Sequence, residues 1–281
     1  MADKDEKITF GRELVYLRDF KEEAEKLRKD YGYTRRFSTG SESLDEYLGG
    51  GYGRNSGYEM VLLFGPTKIG KSLIALNFLK APIAAGDRVG LLTLEDAGAD
   101  VYIRLTDILG PQATREHILT GDTVHMMPPE DLLKSWKLSD LLELIEDWFT
   151  KRKLDVILLD HLQFAFEGAE AIKGENEYTT QRVFMQKLNQ LMKRMNKTII
   201  LVSHVNKDSS AKGTNRVVGS GSIAQGATKL IEVNREGDVV KIRMWGSRFT
   251  KTPADDYLTE LKGSILKKPD EEQKVKLPGN W

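Results

Sequence analysis

An apolar run at residues 60–64 leads directly into Gly65-Pro66-Thr67-Lys68-Ile69-Gly70-Lys71-Ser72, and a segment rich in Leu, Ile and Phe follows. No other feature of the chain restricts its fold as strongly. The spacing G-x-x-x-x-G-K-S lets a loop wrap so that successive backbone N–H groups face an anion above a helix N-terminus. In that arrangement Lys71 reaches the β- and γ-phosphates of a nucleotide, and the Ser72 hydroxyl ligates Mg²⁺. The same string can be an ordinary glycine-rich turn, but a strand before it and a helix after it favour the phosphate site. The glycines from Gly51 to Gly57 precede a strand, lack dinucleotide-binding spacing and read as a loop.

Around this loop the hydrophobic pattern predicts strands over 60–64, 88–94, 155–159, 198–202, 230–233 and 239–245, the last two joined by a turn at Gly237-Asp238. Helices are expected over 71–80 with a stop near Pro82, from an N-cap at Ser139 through Phe149, and over 180–195. Strands separated by helices argue for an α/β fold with a mainly parallel sheet. Ahead of it, Phe10, Leu14, Leu17, Phe20, Ala24 and Leu27 recur every three or four residues among charges, which makes 1–35 an amphipathic helix. The core is expected over 36–262, and the charged, aperiodic stretch 263–281 reads as a flexible tail.

Composition removes several chemistries. The 281 residues include no cysteine, so disulfides, thiolate zinc sites, iron–sulfur clusters and a Cys nucleophile are excluded. No apolar run approaches the ~20 residues a bilayer span needs, and MADKDEKITF has no secretory apolar core, so a cytoplasmic protein without a membrane partner is expected. Lys+Arg and Asp+Glu are 42 each, which gives no overall pull toward nucleic acid. Locally the balance differs: between Leu201 and Lys251 nine basic residues face four acidic ones. Such an excess is either a solvated face or a polyanion track.

Two carboxylates end apolar strands. Asp160 closes VILLD, the position from which an acid holds Mg²⁺ through water, and Glu95 closes LLTLE. A carboxylate at the C-terminal edge of a strand next to the phosphate strand can orient and deprotonate an attacking water; otherwise Glu95 is an edge acid. His204 ends another apolar strand, where a histidine is ordinarily structural. No second His or Asp stands at metal-ligand spacing from it, so zinc is not expected. His117, His125 and His161 have no functional context beyond His161 following Asp160.

The order of these elements, the phosphate loop, then LTLE, LLDHLQF, LVSHVNK, GSGSIAQ and RFT, resembles the ring-forming helicases built on a RecA-type core, including DnaB, phage primase–helicases and Twinkle. The resemblance covers about 37–261. It implies a RecA-like P-loop NTPase core behind a linker helix that docks on the next subunit, closing a homo-oligomeric, hexameric ring. It assigns Glu95 as catalytic base, Asp160 as the second Mg²⁺ residue, His204 as γ-phosphate sensor and Gln225 as the link to the nucleic-acid loop. Arg248 matches a finger that enters the neighbour's nucleotide site, rather than a mere β-edge charge. Arg235 matches the residue that stacks on the base, with Tyr257 as an aromatic partner. Gly246 stands where relatives place a second cation.

The stretch from Val205 to Gly221 holds Lys207, Lys212, Arg216, Gly219 and Ser220, without apolar periodicity. In a ring it becomes a central-channel loop whose cations and backbone N–H groups hold phosphates without reading bases. Residues 167–179, with Lys173, resemble a second channel loop. The expected protein is an ATP- and Mg²⁺-dependent motor that moves on single-stranded DNA and opens forked duplex in a cellular or phage-infected cytoplasm. No collar or zinc module is seen, so a primase would be a separate partner, as would a loader or polymerase. Two alternatives remain: a RecA/RadA-like recombination ATPase forming filaments on DNA, and a KaiC-like ATPase switch without motor activity.

Overall fold

The computed structural model describes residues 36–54, 57–127, 137–167, 177–205 and 221–267. The amphipathic helix expected in 1–35, the DNA-track residues Lys207, Lys212, Arg216, Gly219 and Ser220, and Lys173 lie outside these described residues.

The strands are β1 (Arg36–Phe37), β2 (Gly53–Arg54), β3 (Glu59–Gly65), β4 (Val89–Thr93), β5 (Val124–Met127), β6 (Val156–Asp160), β7 (Thr198–His204), β8 (Lys229–Glu236), β9 (Val239–Ser247), β10 (Tyr257–Lys262) and β11 (Ile265–Lys267). The helices are α1 (Glu42–Tyr47), α2 (Lys71–Ala84), α3 (Gly98–Thr114, broken at Gly110), α4 (Leu138–Thr150), α5 (Leu162–Glu167), α6 (Glu177–Met195) and α7 (Gly221–Gly226). Nine strands form one sheet in the order β11-β10-β9-β8-β3-β7-β6-β4-β5. From β8 to β5 all neighbours are parallel, while β9, β10 and β11 extend the sheet antiparallel.

Strand periodicity divides the apolar residues between two layers. Val61 and Leu63 of β3 pack with Ile74 and Phe78 of α2 and Val101 and Leu105 of α3 on one face. Met60, Leu62 and Phe64 pack with Ile145 and Trp148 of α4 and Phe184 and Leu188 of α6 on the other. Each fully buried large side chain contributes ~1.5–3 kcal/mol, so both helical layers are held to β3, the strand that carries the phosphate loop.

Several local expectations need correction. Pro82 does not stop α2, which runs to Ala84. In the last turn a proline costs one ladder bond, and Ala85 N–H still reaches the Ala81 carbonyl at 3.0 Å. Helix α4 is capped at Lys137 rather than Ser139, because the Asp140 carboxylate accepts the Lys137 backbone N–H at 2.9 Å. The glycine loop contains a strand: β2 pairs with β1, and Gly53 is required there because a Cβ would lie 2.6 Å from Thr198 Cγ2. Ile265–Lys267, placed by sequence in the flexible tail, pairs with β10. Helix α3 and strand β5 are additional elements: Gly98, Gly110 and Pro111 interrupt the helical pattern of α3, and β5 is only four residues long, too short for a clear strand pattern.

A buried charge cluster fastens the β1–α1–β2 segment to the sheet. Lys229 Nζ donates to the carbonyls of Leu48 and Gly51, both at 2.8 Å, and lies 3.7 Å from Glu59 Oε1. Arg36 Nη2 meets Glu59 Oε2 at 3.0 Å. Burial lowers the Lys229 pKa to about 8, an effect the Glu59 charge opposes. Removing one partner of a buried pair strands the other, at ~3–5 kcal/mol. Urea unfolding of Lys229→Met should show a loss of that size; a loss below about 1 kcal/mol would show the cluster to be dispensable.

Candidate nucleotide site

The loop from Gly65 to Ser72 connects β3 to α2. A Cβ at Gly65 would stand 2.1 Å from the Val233 carbonyl, so the close approach of β8 demands glycine. Lys68 (φ 66) and Gly70 (φ 89) take left-handed conformations, which turn alternate N–H groups inward as an anion nest. No side chain caps α2 at Gly70, so its first-turn N–H groups remain available to an anion.

Lys71 is buried, and its Nζ donates to the Pro66 carbonyl at 2.7 Å and meets His204 Nδ1 at 2.9 Å. Burial lowers its pKa to about 8, against the raising effect of Asp160 and Glu95. Asp160, also buried, is raised to about 6 by burial, although a hydrogen bond from Ser72 favours its charged form. Its Oδ1 has no hydrogen-bond partner. A buried carboxylate with an idle oxygen beside the Ser72 hydroxyl fits Mg²⁺: Ser72 and Asp160 would hold the ion, which would supply charge neutralisation to a bound phosphate chain.

Glu95 does not sit on a strand next to the phosphate strand. The sheet order puts β7 and β6 between β3 and β4, and the strand ends at Thr93. Glu95 nevertheless communicates with the loop through histidines. Its Oε2 lies 3.1 Å from His161 Nε2; the His161 and His204 rings stand 4.2 Å apart at 74°; His204 then contacts Lys71. Thus His204 has a histidine neighbour after all, and His161 is the site residue that sequence reasoning missed. The available signal was its place directly after Asp160, but its meeting with His204 depends on β6 pairing with β7. Burial, then the Lys71 charge, lowers both imidazoles to about 4, so both are neutral at physiological pH. Gln163 fixes the end of β7: its Nε2 donates to Ser203 Oγ at 2.7 Å, and its Oε1 accepts the His204 N–H at 3.2 Å.

The remaining predicted residues divide into two locations. Arg235 is near the loop, with Nη1 3.6 Å from where a Gly70 Cβ would stand, and its Nε donates to the Gly237 carbonyl. Tyr257 is not its partner: it opposes Ile242, its hydroxyl bonds Ser43 Oγ at 2.8 Å, and its ring lies against Tyr47. Arg248 and Gln225 lie at the opposite end of the sheet. Arg248 N–H reaches the Thr228 carbonyl, Thr228 N–H reaches Met60 at the start of β3, and Arg248 Nη2 donates to the Gln225 carbonyl. From Met60 to Gly65 the strand runs about 17 Å at ~3.3 Å per residue, so Arg248 is remote from the phosphate loop of its own chain.

A phosphate loop on a central strand of a mainly parallel sheet, covered on both faces, defines a RecA-like P-loop ATPase fold. The family model described as "ATPase: KaiC" matches residues 37–267, and the chain belongs to that ATPase family. The ATPase domain of G40P is similar over 86% of this chain and 94% of its own, at 15% identity and a TM-score of 0.65. A DnaB-like replicative helicase, whose structure was described with its primase interactions, covers 91% of this chain and 67% of its own, at 15% identity and a TM-score of 0.65. A KaiC-like protein from the hyperthermophilic archaeon Pyrococcus horikoshii covers 84% and 100%, at 17% identity and a TM-score of 0.61. At these identities the likeness is one of fold, and it agrees with the RecA-type core that the motif order implied. No curated protein sequence matches the chain. Among the described residues no helix is long and apolar enough to cross a membrane.

Two substitutions separate binding from chemistry. Lys71→Ala should abolish binding of a fluorescent ATP analogue. Glu95→Gln should retain that binding while phosphate release slows ~10²–10⁴-fold, the usual contribution of a general base. Wild-type turnover in Glu95→Gln would remove it from that role.

Proposed function

We propose that this ATPase is a ring motor that moves on single-stranded DNA and opens forked duplex, with each ATP site completed by the adjacent copy. The position of Arg248 carries the reading. Its side chain is exposed and its backbone is tied through Thr228 to Met60, at the end of β3 that lies about 17 Å of strand from Gly65, so a finger role requires the nucleotide of another subunit. A head-to-tail arrangement of this kind closes into a ring or continues as a filament; the proposed assembly is a hexamer.

Coupling to DNA follows from the other end of the site. Lys71, the residue expected to bind phosphate, touches His204 at the end of β7. The chain then continues, one residue later, into 206–220 with Lys207, Lys212 and Arg216. Withdrawal of Lys71 toward a γ-phosphate would release His204, a direct route from nucleotide state to the DNA loop. Glu95 would activate the attacking water, Asp160 and Ser72 would hold Mg²⁺, and Arg235 would support the nucleotide. Gln225, bonded to Arg248 through its carbonyl, would orient the finger.

Membership of the KaiC-type family favours a second reading, an ATPase switch acting on protein partners. The two readings differ in their response to DNA. On the motor reading, single-stranded DNA stimulates hydrolysis, forked duplex is unwound with ATP, and a Lys207→Ala/Lys212→Ala chain loses affinity with a salt slope reduced by about 2. Arg248→Ala should keep nucleotide affinity and lose ~10³-fold or more in DNA-stimulated turnover. Hydrolysis indifferent to DNA would select the switch.

A further inference from the structure

Glu95, His161 and His204 come from three different strand ends, yet each offers a donor atom, and these atoms all lie within 4.8 Å of one another. Two of them, His161 Nε2 and Glu95 Oε2, are already 3.1 Å apart. Tetrahedral ligands on ~2.0–2.1 Å bonds stand roughly 3.3 Å apart, so His161 and Glu95 are already at ligand separation and His204 is the side chain that must close on them. We propose that these three side chains form a second cation site, separate from Ser72 and Asp160, that takes a borderline-soft divalent metal of the Zn²⁺ and Co²⁺ class.

The donor set selects the metal. Mg²⁺ prefers oxygen and keeps its waters, whereas two imidazoles and one carboxylate suit Zn²⁺, Co²⁺ or Ni²⁺. Two His and one Glu with remaining coordination positions open is a known three-ligand zinc pattern. His161 is only 4% exposed, and its Nε2 already faces the Glu95 carboxylate at 3.1 Å, so a buried imidazole and a carboxylate are turned toward one another before any metal enters. Glu95 is half-exposed and gives a solvated entry. The Lys71 ammonium beside His204 opposes a cation until nucleotide phosphates neutralise it.

Occupancy has a consequence for the ATPase. A divalent cation on one Glu95 oxygen draws charge from the whole carboxylate and makes it a weaker base toward water, so bound Zn²⁺ inhibits hydrolysis while nucleotide stays bound. Metal binding does not depend on the motor reading; the inhibition rests on Glu95 as the base.

The test is titration of the full chain with Co²⁺ in excess Mg²⁺ and ADP, followed by visible absorption, with Zn²⁺ heats measured alongside. The expected result is one Co²⁺ per chain, bound far more tightly than Mg²⁺ competes for the site. His161→Asn and Glu95→Gln should each weaken binding ~10-fold or more, and His125→Asn should bind as wild type. Co²⁺ affinity unchanged in both site variants, or no visible absorption in the wild type, overturns the proposal. If His161→Asn melts early, Glu95→Gln, on a half-exposed side chain, decides. Phosphate release assigns the failures: undiminished release with Zn²⁺ bound overturns the inhibition, whereas absence of release in Mg²⁺ alone sinks the ATPase reading and leaves the Co²⁺ result standing.

Discussion

The ammonium of Lys71 is the group around which the site is arranged. It is buried beneath the phosphate loop and held by a carbonyl at 2.7 Å and an imidazole at 2.9 Å. Neither partner is anionic, and burial lowers the pKa to about 8. Such a cation gains strongly from an incoming phosphate, because charge-assisted bonds replace neutral ones in a poorly solvated place. The glycines, the uncapped N-terminus of α2 and the two helical layers all serve to hold that cation under an anion nest. The buried, partly unsatisfied Asp160 presents the complementary need for a cation.

How much of this was legible in the sequence depends on whether a feature is local. The phosphate loop and the strand ending in Asp160 are contiguous strings whose backbone follows from residue type. The alternating strands and the α/β class were legible for the same reason. Strand order was not: parallel strands joined by helices leave their neighbours open, and Glu95 was assigned to the wrong adjacency. The His161–His204 contact required β6 beside β7 and could not come from residue spacing. Likewise Tyr257 has a plausible aromatic identity, but its register on β10 sends it to Ser43.

The fold alone does not separate motor from switch. Helicase ATPase domains and a KaiC-like protein resemble this chain to similar degrees, with TM-scores from 0.61 to 0.65. On the proposed reading the separation rests on particular residues rather than on the scaffold: the cations that the sequence places in 206–220, His204 that precedes them, and Arg248 at the far end of the sheet. The proposed account therefore places energy conversion between copies. One copy supplies the phosphate loop and Glu95, and the next supplies the guanidinium.

Mixing two disabled chains tests that division directly. Lys71→Ala lacks a working phosphate loop and Arg248→Ala lacks the finger; each alone should be inactive in DNA-stimulated hydrolysis. Combined at equal amounts in a head-to-tail assembly, about one quarter of the interfaces pair an intact loop with an intact finger. The account predicts that activity returns toward about that fraction of wild type. A mixture as inactive as its components, or an Arg248→Ala chain that is fully active alone, would contradict it.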